Sequence, residues 1–264
     1  MSALARHNVH MYGPEQGHTL VFAHGYGCDQ GMWRFVAPAF VPDYRVGLFD
    51  LAGCGGADPA HHDPARHASL HGHAEDLCDL LREFGRGPVT FVGHSVSAMI
   101  GALAALRAPE LFTSLVMIGP SPCYLNDGDY PGGFVPEDIE ALLDLLDGNH
   151  HAWAARMAPV IMGNPDRPEL AAELEASFCR MDPKAARVFA RVTFTSDCRQ
   201  DLPLLRVPTL ILQSQDDAVA SVEVGAWVAS CVPGSSLIQL GATGHCPHVS
   251  APEATARAIR AWLG

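Results

Sequence analysis

Short runs of β-branched and aromatic residues alternate with helical stretches along most of this chain, and that alternation restricts its fold more than any other feature. Thr19–His24, Arg45–Asp50, Val89–Val92, Ser114–Ile118, Leu210–Gln213 and Ser236–Leu240 read as strands buried on both faces. Between them the spacing is helical over about 69–84, 96–107, 222–231 and 251–263. Buried strands separated by helices predict a mostly parallel sheet with helices on both faces, and a strand over 7–12 is expected at its edge.

The alternation stops between Ser121 and Ser196, where helical stretches are punctuated by Pro131, Pro136, Pro159, Pro165, Pro168 and Pro183. So long a segment is not a loop. It predicts a helical cap, 121–196, inserted in a core made of 1–120 and 197–264, with Leu142, Leu145, Leu146, Trp153 and Met157 supplying its apolar positions. Hydrophobic residues are 48% of the chain and charged residues 17%, a core-forming balance. The formal charge of −12 would repel phosphate backbones and anionic lipid, so nucleic acid and membrane surfaces are not expected partners. No apolar run is long enough to span a bilayer, and the first residues lack a signal peptide's apolar region. With eight scattered cysteines and no C-x-x-C pair, the expectation is a cytoplasmic monomer with free thiols. His61, His62, His67, His71 and His73 crowd one segment, but Pro64 and Gly72 interrupt it. A solvated loop leading into a helix is expected there, with no metal.

Chemistry enters at Gly93-His94-Ser95-Val96-Ser97, between a strand and an alanine-rich helix. A sharp turn in that context exposes a serine hydroxyl and sets the next N–H at a helix N-terminus, where an oxyanion is favoured. Ser97 stands where such turns usually carry glycine. A serine nucleophile needs an imidazole base oriented by a carboxylate. Gly244-His245 follows the last strand and Asp216-Asp217 the one before, so Ser95, Asp217 and His245 occur in a workable order beyond strand C-termini. Asp216 and Asp217 cannot both orient the ring; His248 is a second, less direct base; His94 should point away from the nucleophile. His24-Gly25-Tyr26-Gly27 lets the backbone turn sharply, and the N–H groups of Tyr26 and Val96 are the expected oxyanion hole. Serine at 95 excludes dehalogenation through a carboxylate nucleophile, while perhydrolysis and carbon–carbon bond hydrolysis use the same triad.

Taken together, His24–Gln30, Gly93–Gly101, Ser121–Asp127, Ser196–Asp201 and Gly244–His248 resemble the RsbQ-type α/β-hydrolases, bacterial relatives of the plant karrikin and strigolactone receptors. Pro165–Glu169, Cys123 and Cys246 resemble the bacterial branch, and Ser97 the plant one. The resemblance implies an α/β-hydrolase fold with a four-helix cap, no cofactor, and Ser95, Asp217 and His245 as triad. It implies a pocket lined by Tyr26, Tyr124, Phe134, Leu142, Met157, Phe178, Phe194 and Ala218. Met157 replaces an aromatic, and Cys123 an arginine, expected in the plant receptors. Two activities follow: hydrolysis of small apolar esters or lactones, or slow ligand sensing through a partner such as a PAS-domain regulator.

Overall fold

The computed structural model describes all 264 residues. Its strands are β1 (His10–Tyr12), β2 (Thr19–Ala23), β3 (Arg45–Phe49), β4 (Val89–His94), β5 (Phe112–Ile118), β6 (Thr209–Asp216) and β7 (Ser236–Thr243). Its helices are α1 (Ala3–Arg6), α2 (Leu70–Phe84), α3 (Val96–Arg107), α4 (Pro136–Gly148), α5 (His150–Met162), α6 (Pro168–Arg180), α7 (Pro183–Thr195), α8 (Val222–Cys231), α9 (Pro247–Ser250) and α10 (Pro252–Leu263). The strands form one sheet in the order β1-β3-β2-β4-β5-β6-β7, parallel except for β1, which runs antiparallel to β3.

Alternate residues of the central strands feed two apolar layers, as the pleat requires. Val21, Phe91, Leu115 and Ile211 join the layer under α2, α3 and α8; Leu20, Phe22, Val92, Val116 and Leu212 join Trp33, Phe40 and Ile259 on the other face. Helix α3 is buried from Val96 through Ala105, and its alanines and Gly101 let it lie close to the sheet. A Cβ at Gly101 would stand 2.5 Å from the Phe91 ring.

The cap helices α4–α7 are inserted between β5 and β6. Prolines open α4, α6 and α7 at their first turns, where no N–H is needed. Pro159 lies inside α5, one turn before Gly163 ends that helix in the left-handed conformation. Two sequence expectations change. The amino-terminal edge strand is only His10–Tyr12; His7 instead caps α1 and is buried. The 61–73 segment leads into α2 as expected and exposes Asp63, Pro64, Ala65, Ala68 and Ser69, but its histidines turn inward: His67 is 0% and His73 2% exposed, and of the five only His71 is exposed. The reason is Asp76 on α2, whose carboxylate draws His61 (3.0 Å) and His67 (2.8 Å) inward.

Candidate active site

Strand β4 runs straight into α3, and Ser95 occupies the corner between them with φ 57° and ψ −123°. A serine in that region is strained, and close packing enforces it. A Cβ at Gly93 would come within 2.5 Å of the Ser97 carbonyl, and one at Gly25 within 2.6 Å of His94. Ser97, in the place of the usual glycine, is fully buried and donates its hydroxyl to the His24 carbonyl. It therefore ties the corner to the loop after β2.

The loop after β7 brings His245 over the corner, its Nε2 2.7 Å from Ser95 Oγ. On the other side of the ring, Nδ1 lies 2.8 Å from Asp217 Oδ2. Asp217 Oδ1 accepts the N–H groups of Val219 (2.8 Å) and Ala220 (3.0 Å), so the carboxylate is fixed before it meets the imidazole. Gly119, with φ +57°, ends β5 beneath this ring, and a Cβ there would press to 3.1 Å from it. Asp216 is exposed and contributes only its carbonyl, to the Gly244 N–H. Ser121, another buried serine nearby, donates to the Cys123 carbonyl.

The other two imidazoles are turned to structural partners. His94 Nε2 bonds the His245 carbonyl at 2.8 Å, which steadies the loop that carries His245. His248 lies on α9, fully buried and packed on Trp33 with ring centroids 4.6 Å apart. Burial holds His94 well below the usual imidazole range and His248 down to about 3. Across the corner, the Tyr26 N–H has no backbone partner, and Val96 is the first residue of α3, whose N–H has no intrahelical acceptor.

Residues 20–258 match the Alpha/beta hydrolase family. The chain belongs to that family. This α/β-hydrolase is 38% identical over 248 residues to a probable esterase of Oryza sativa subsp. japonica, covering 94% of this chain and 92% of that protein. It is 39% identical over 248 residues to the karrikin insensitive 2 receptor CA of Petunia hybrida, with the same coverage. A solved hydrolase from Oleispira antarctica superposes with a TM-score of 0.96 at 38% identity, over 99% of this chain and 96% of that one.

The cavity above Ser95 in this hydrolase is small, about 30 Å³. That is the space of one or two waters. Of the residues expected to line a pocket, Tyr26, Tyr124, Phe178 and Phe194 stand around it; Cys28, Ile161, Leu174, Thr193 and Val219 join them and were not expected. The Tyr26, Trp153 and Phe178 rings pack on one another at 5.0–6.1 Å and fill the middle of the cap. Four expected lining residues consequently lie outside the cavity. Phe134 packs one layer out, against Tyr124. Leu142 and Met157 are half-buried, because α4 turns Ile139, Leu143 and Leu146 inward and α5 turns Trp153 and Ile161. Ala218 is exposed, and Val219, held by Asp217, takes its place. Burial pushes the Cys28 thiol up to about 12, so it meets a ligand as a neutral S–H. A helical periodicity shared by Trp153, Met157 and Ile161 was the available signal for Ile161; Val219 carried none.

Proposed function

We propose that this chain hydrolyses small, largely apolar esters or lactones through an acyl-enzyme. The observation that carries the reading is the unbroken relay from Ser95 Oγ through His245 to Asp217, at 2.7 and 2.8 Å, on a strained corner. His245 Nε2 takes the Ser95 proton as Oγ attacks the carbonyl carbon, and Asp217 stabilises the imidazolium. The carbonyl electron pair moves onto oxygen, facing the N–H groups of Tyr26 and Val96. As the tetrahedral adduct collapses, the C–O bond breaks and His245 returns the proton to the leaving alkoxide. In a lactone that alcohol stays tethered to the acyl group. A water then gives its proton to His245 and its oxygen to the acyl carbon, releasing the acid and restoring Ser95. Every step is a proton or acyl transfer that these side chains supply, so no cofactor is invoked.

The apolar walls favour apolar acyl groups. Lactone and ester chemistry also stands in the names of relatives: a strigolactone esterase of Arabidopsis thaliana is 38% identical over 91% of this chain. We assign 121–196 as the cap and 1–120 with 197–264 as the core. The eight free cysteines suit a reducing cytoplasm, and a monomer is the working state.

A second reading is favoured by the closed cap and by the likeness to a protein named as a receptor. Here turnover is slow, and a ligand that opens the cap alters docking of a regulator such as a PAS-domain protein. A product time course with an aryl acetate and a butenolide, beside Ser95→Ala, separates the two. Many linear turnovers lost in Ser95→Ala mark a hydrolase, and one equivalent followed by a stall marks a sensor. An unchanged rate in Ser95→Ala would remove Ser95 from both.

A further inference from the structure

The histidines gathered around Asp76 form a second centre, remote in sequence from the triad and built from three separate segments. His7 closes α1, His61 ends the 3-10 turn Pro59–His61, and Asp76 sits in the second turn of α2. One donor atom of each lies within 4.8 Å of the other two. Their side chains are 2%, 10% and 5% exposed, so His61 forms the solvent side and the other two the floor.

The hydrogen bonds around these groups leave their lone pairs aimed at one another. His7 Nδ1 bonds the Asp50 carbonyl at 2.9 Å. A carbonyl can only accept, so that nitrogen carries the proton, and in the neutral ring Nε2 presents a bare lone pair. It faces Asp76 Oδ2 at 3.8 Å. His67 Nδ1 accepts the Asp63 N–H, so its Nε2–H donates to the same Oδ2 at 2.8 Å. Arg66 occupies Oδ1, with Nη2 at 2.7 Å and Nε at 3.0 Å. Asp76 is thus oriented by two donors, with one Oδ2 lone pair left towards His61 and His7. A proton on His61 Nε2 would account for its 3.0 Å contact with Oδ2, but it leaves the His7 lone pair opposed to a carboxylate oxygen.

We propose that His7 Nε2, His61 Nε2 and Asp76 Oδ2 bind a divalent transition-metal ion, with water completing the shell on the His61 side. Two imidazoles and a carboxylate suit zinc and its neighbours and disfavour magnesium and calcium. Zinc holds such ligands at about 2.0–2.2 Å, a spacing that small ring movements reach from the separations seen. The surroundings are those that metal-binding histidines and carboxylates use: a backbone carbonyl on the far nitrogen of His7, and Arg66 with His67 behind Asp76. The ion would be structural. It would pin the amino-terminal arm and the 59–61 turn to α2, and no triad residue touches it.

The test uses the full chain, stripped with chelator and titrated with zinc by calorimetry, with melting followed in parallel. One equivalent should bind, and zinc at about 100 times Kd should raise the melting temperature by roughly 5 °C. His61→Ala should weaken binding by at least about tenfold, while exposed His71→Ala should not. Cobalt should give visible ligand-field bands without a thiolate charge-transfer band. This spectrum reads the unsubstituted chain and does not depend on any variant folding. Failure of zinc to bind or to raise the melting temperature would overturn the proposal. So would unchanged affinity in a folded His61→Ala, or a thiolate band, which would move the ion to the cluster of His94, Cys246 and His248.

Discussion

At the scale of single residues, the corner that presents Ser95 is stabilised by the packing around it. A non-glycine residue in this region costs about 1–3 kcal/mol, and Gly93, Gly25 and the buried Ser97 hydroxyl leave the chain no other path. Strain at the nucleophile is then matched by rigidity at the carboxylate. Asp217 receives two backbone N–H groups through Oδ1 and orients His245 through Oδ2, whereas Asp216 points to solvent. Asp217→Asn would present an amide N–H or a weaker acceptor to His245 Nδ1 and favour the wrong tautomer. It should lower kcat on an aryl acetate by about 10⁴-fold, and Asp216→Asn should leave kcat within about twofold. Steady-state kinetics on the two variants check this; equal losses would mean that the neighbouring carboxylates share the role.

At the scale of elements, the cap is both the roof of the cavity and a support for the base. The His245 N–H donates to the Ile161 carbonyl at the end of α5, and Asn164 bonds the Thr243 carbonyl from the α5–α6 turn. A roof so attached over about 30 Å³ admits an ester only by shifting α5 or α6. Leu174→Ala on α6 removes part of that roof. Stability should fall by about 2–5 kcal/mol, read by urea unfolding. The kcat/KM ratio of aryl propionate to aryl acetate should rise by about tenfold, since one methylene given room is worth about 1–3 kcal/mol. An unchanged ratio would place acyl binding elsewhere. Elements with strong local signals were legible in advance. β2, β3 and β4 begin at the residues read from the sequence, and the proline-punctuated segment became α4–α7. The meeting of Ser95, Asp217 and His245 follows from each standing just beyond a strand. The cavity wall was not legible, because helix rotation decides whether Met157 or Ile161 reaches it, and rotation is set by partners such as Phe178. Nor was the burial of His67, which depends on Asp76, nine residues on, and on packing against His61, His62 and His73.

At the scale of the whole molecule, a chain with fourteen histidines keeps several of them uncharged inside its core. His94 and His248 pack behind His245 with ring centroids 4.4 Å apart and planes tilted by 55°, and His248 packs on Trp33. Burial lowers both, His248 from 6.5 to about 3. A histidine depressed in the native state is protonated first in the unfolded chain. The unfolded state therefore binds more protons between about 3 and 6.5, and stability is lost as pH falls through that window. At one pH unit below 6.5 a histidine depressed as far as His248 costs on the order of 1 kcal/mol, and the buried His73, also held down to about 3, adds to the loss in the same direction. Carboxylates contribute little there, since their ordinary pKa values lie near 4. Urea unfolding at pH of about 7.5 and 5.5 should show lower stability at the lower pH, with His94, His248 and His73 all contributing in that direction. His248→Gln, whatever it does to stability at pH of about 7.5, should shrink that difference by about 1 kcal/mol, because the amide does not titrate. A pH dependence identical in His248→Gln and the unsubstituted protein would mean that His248 gains its proton without unfolding. The layer of neutral rings beneath the base would then be open to water, and Trp33 would not be sealing it.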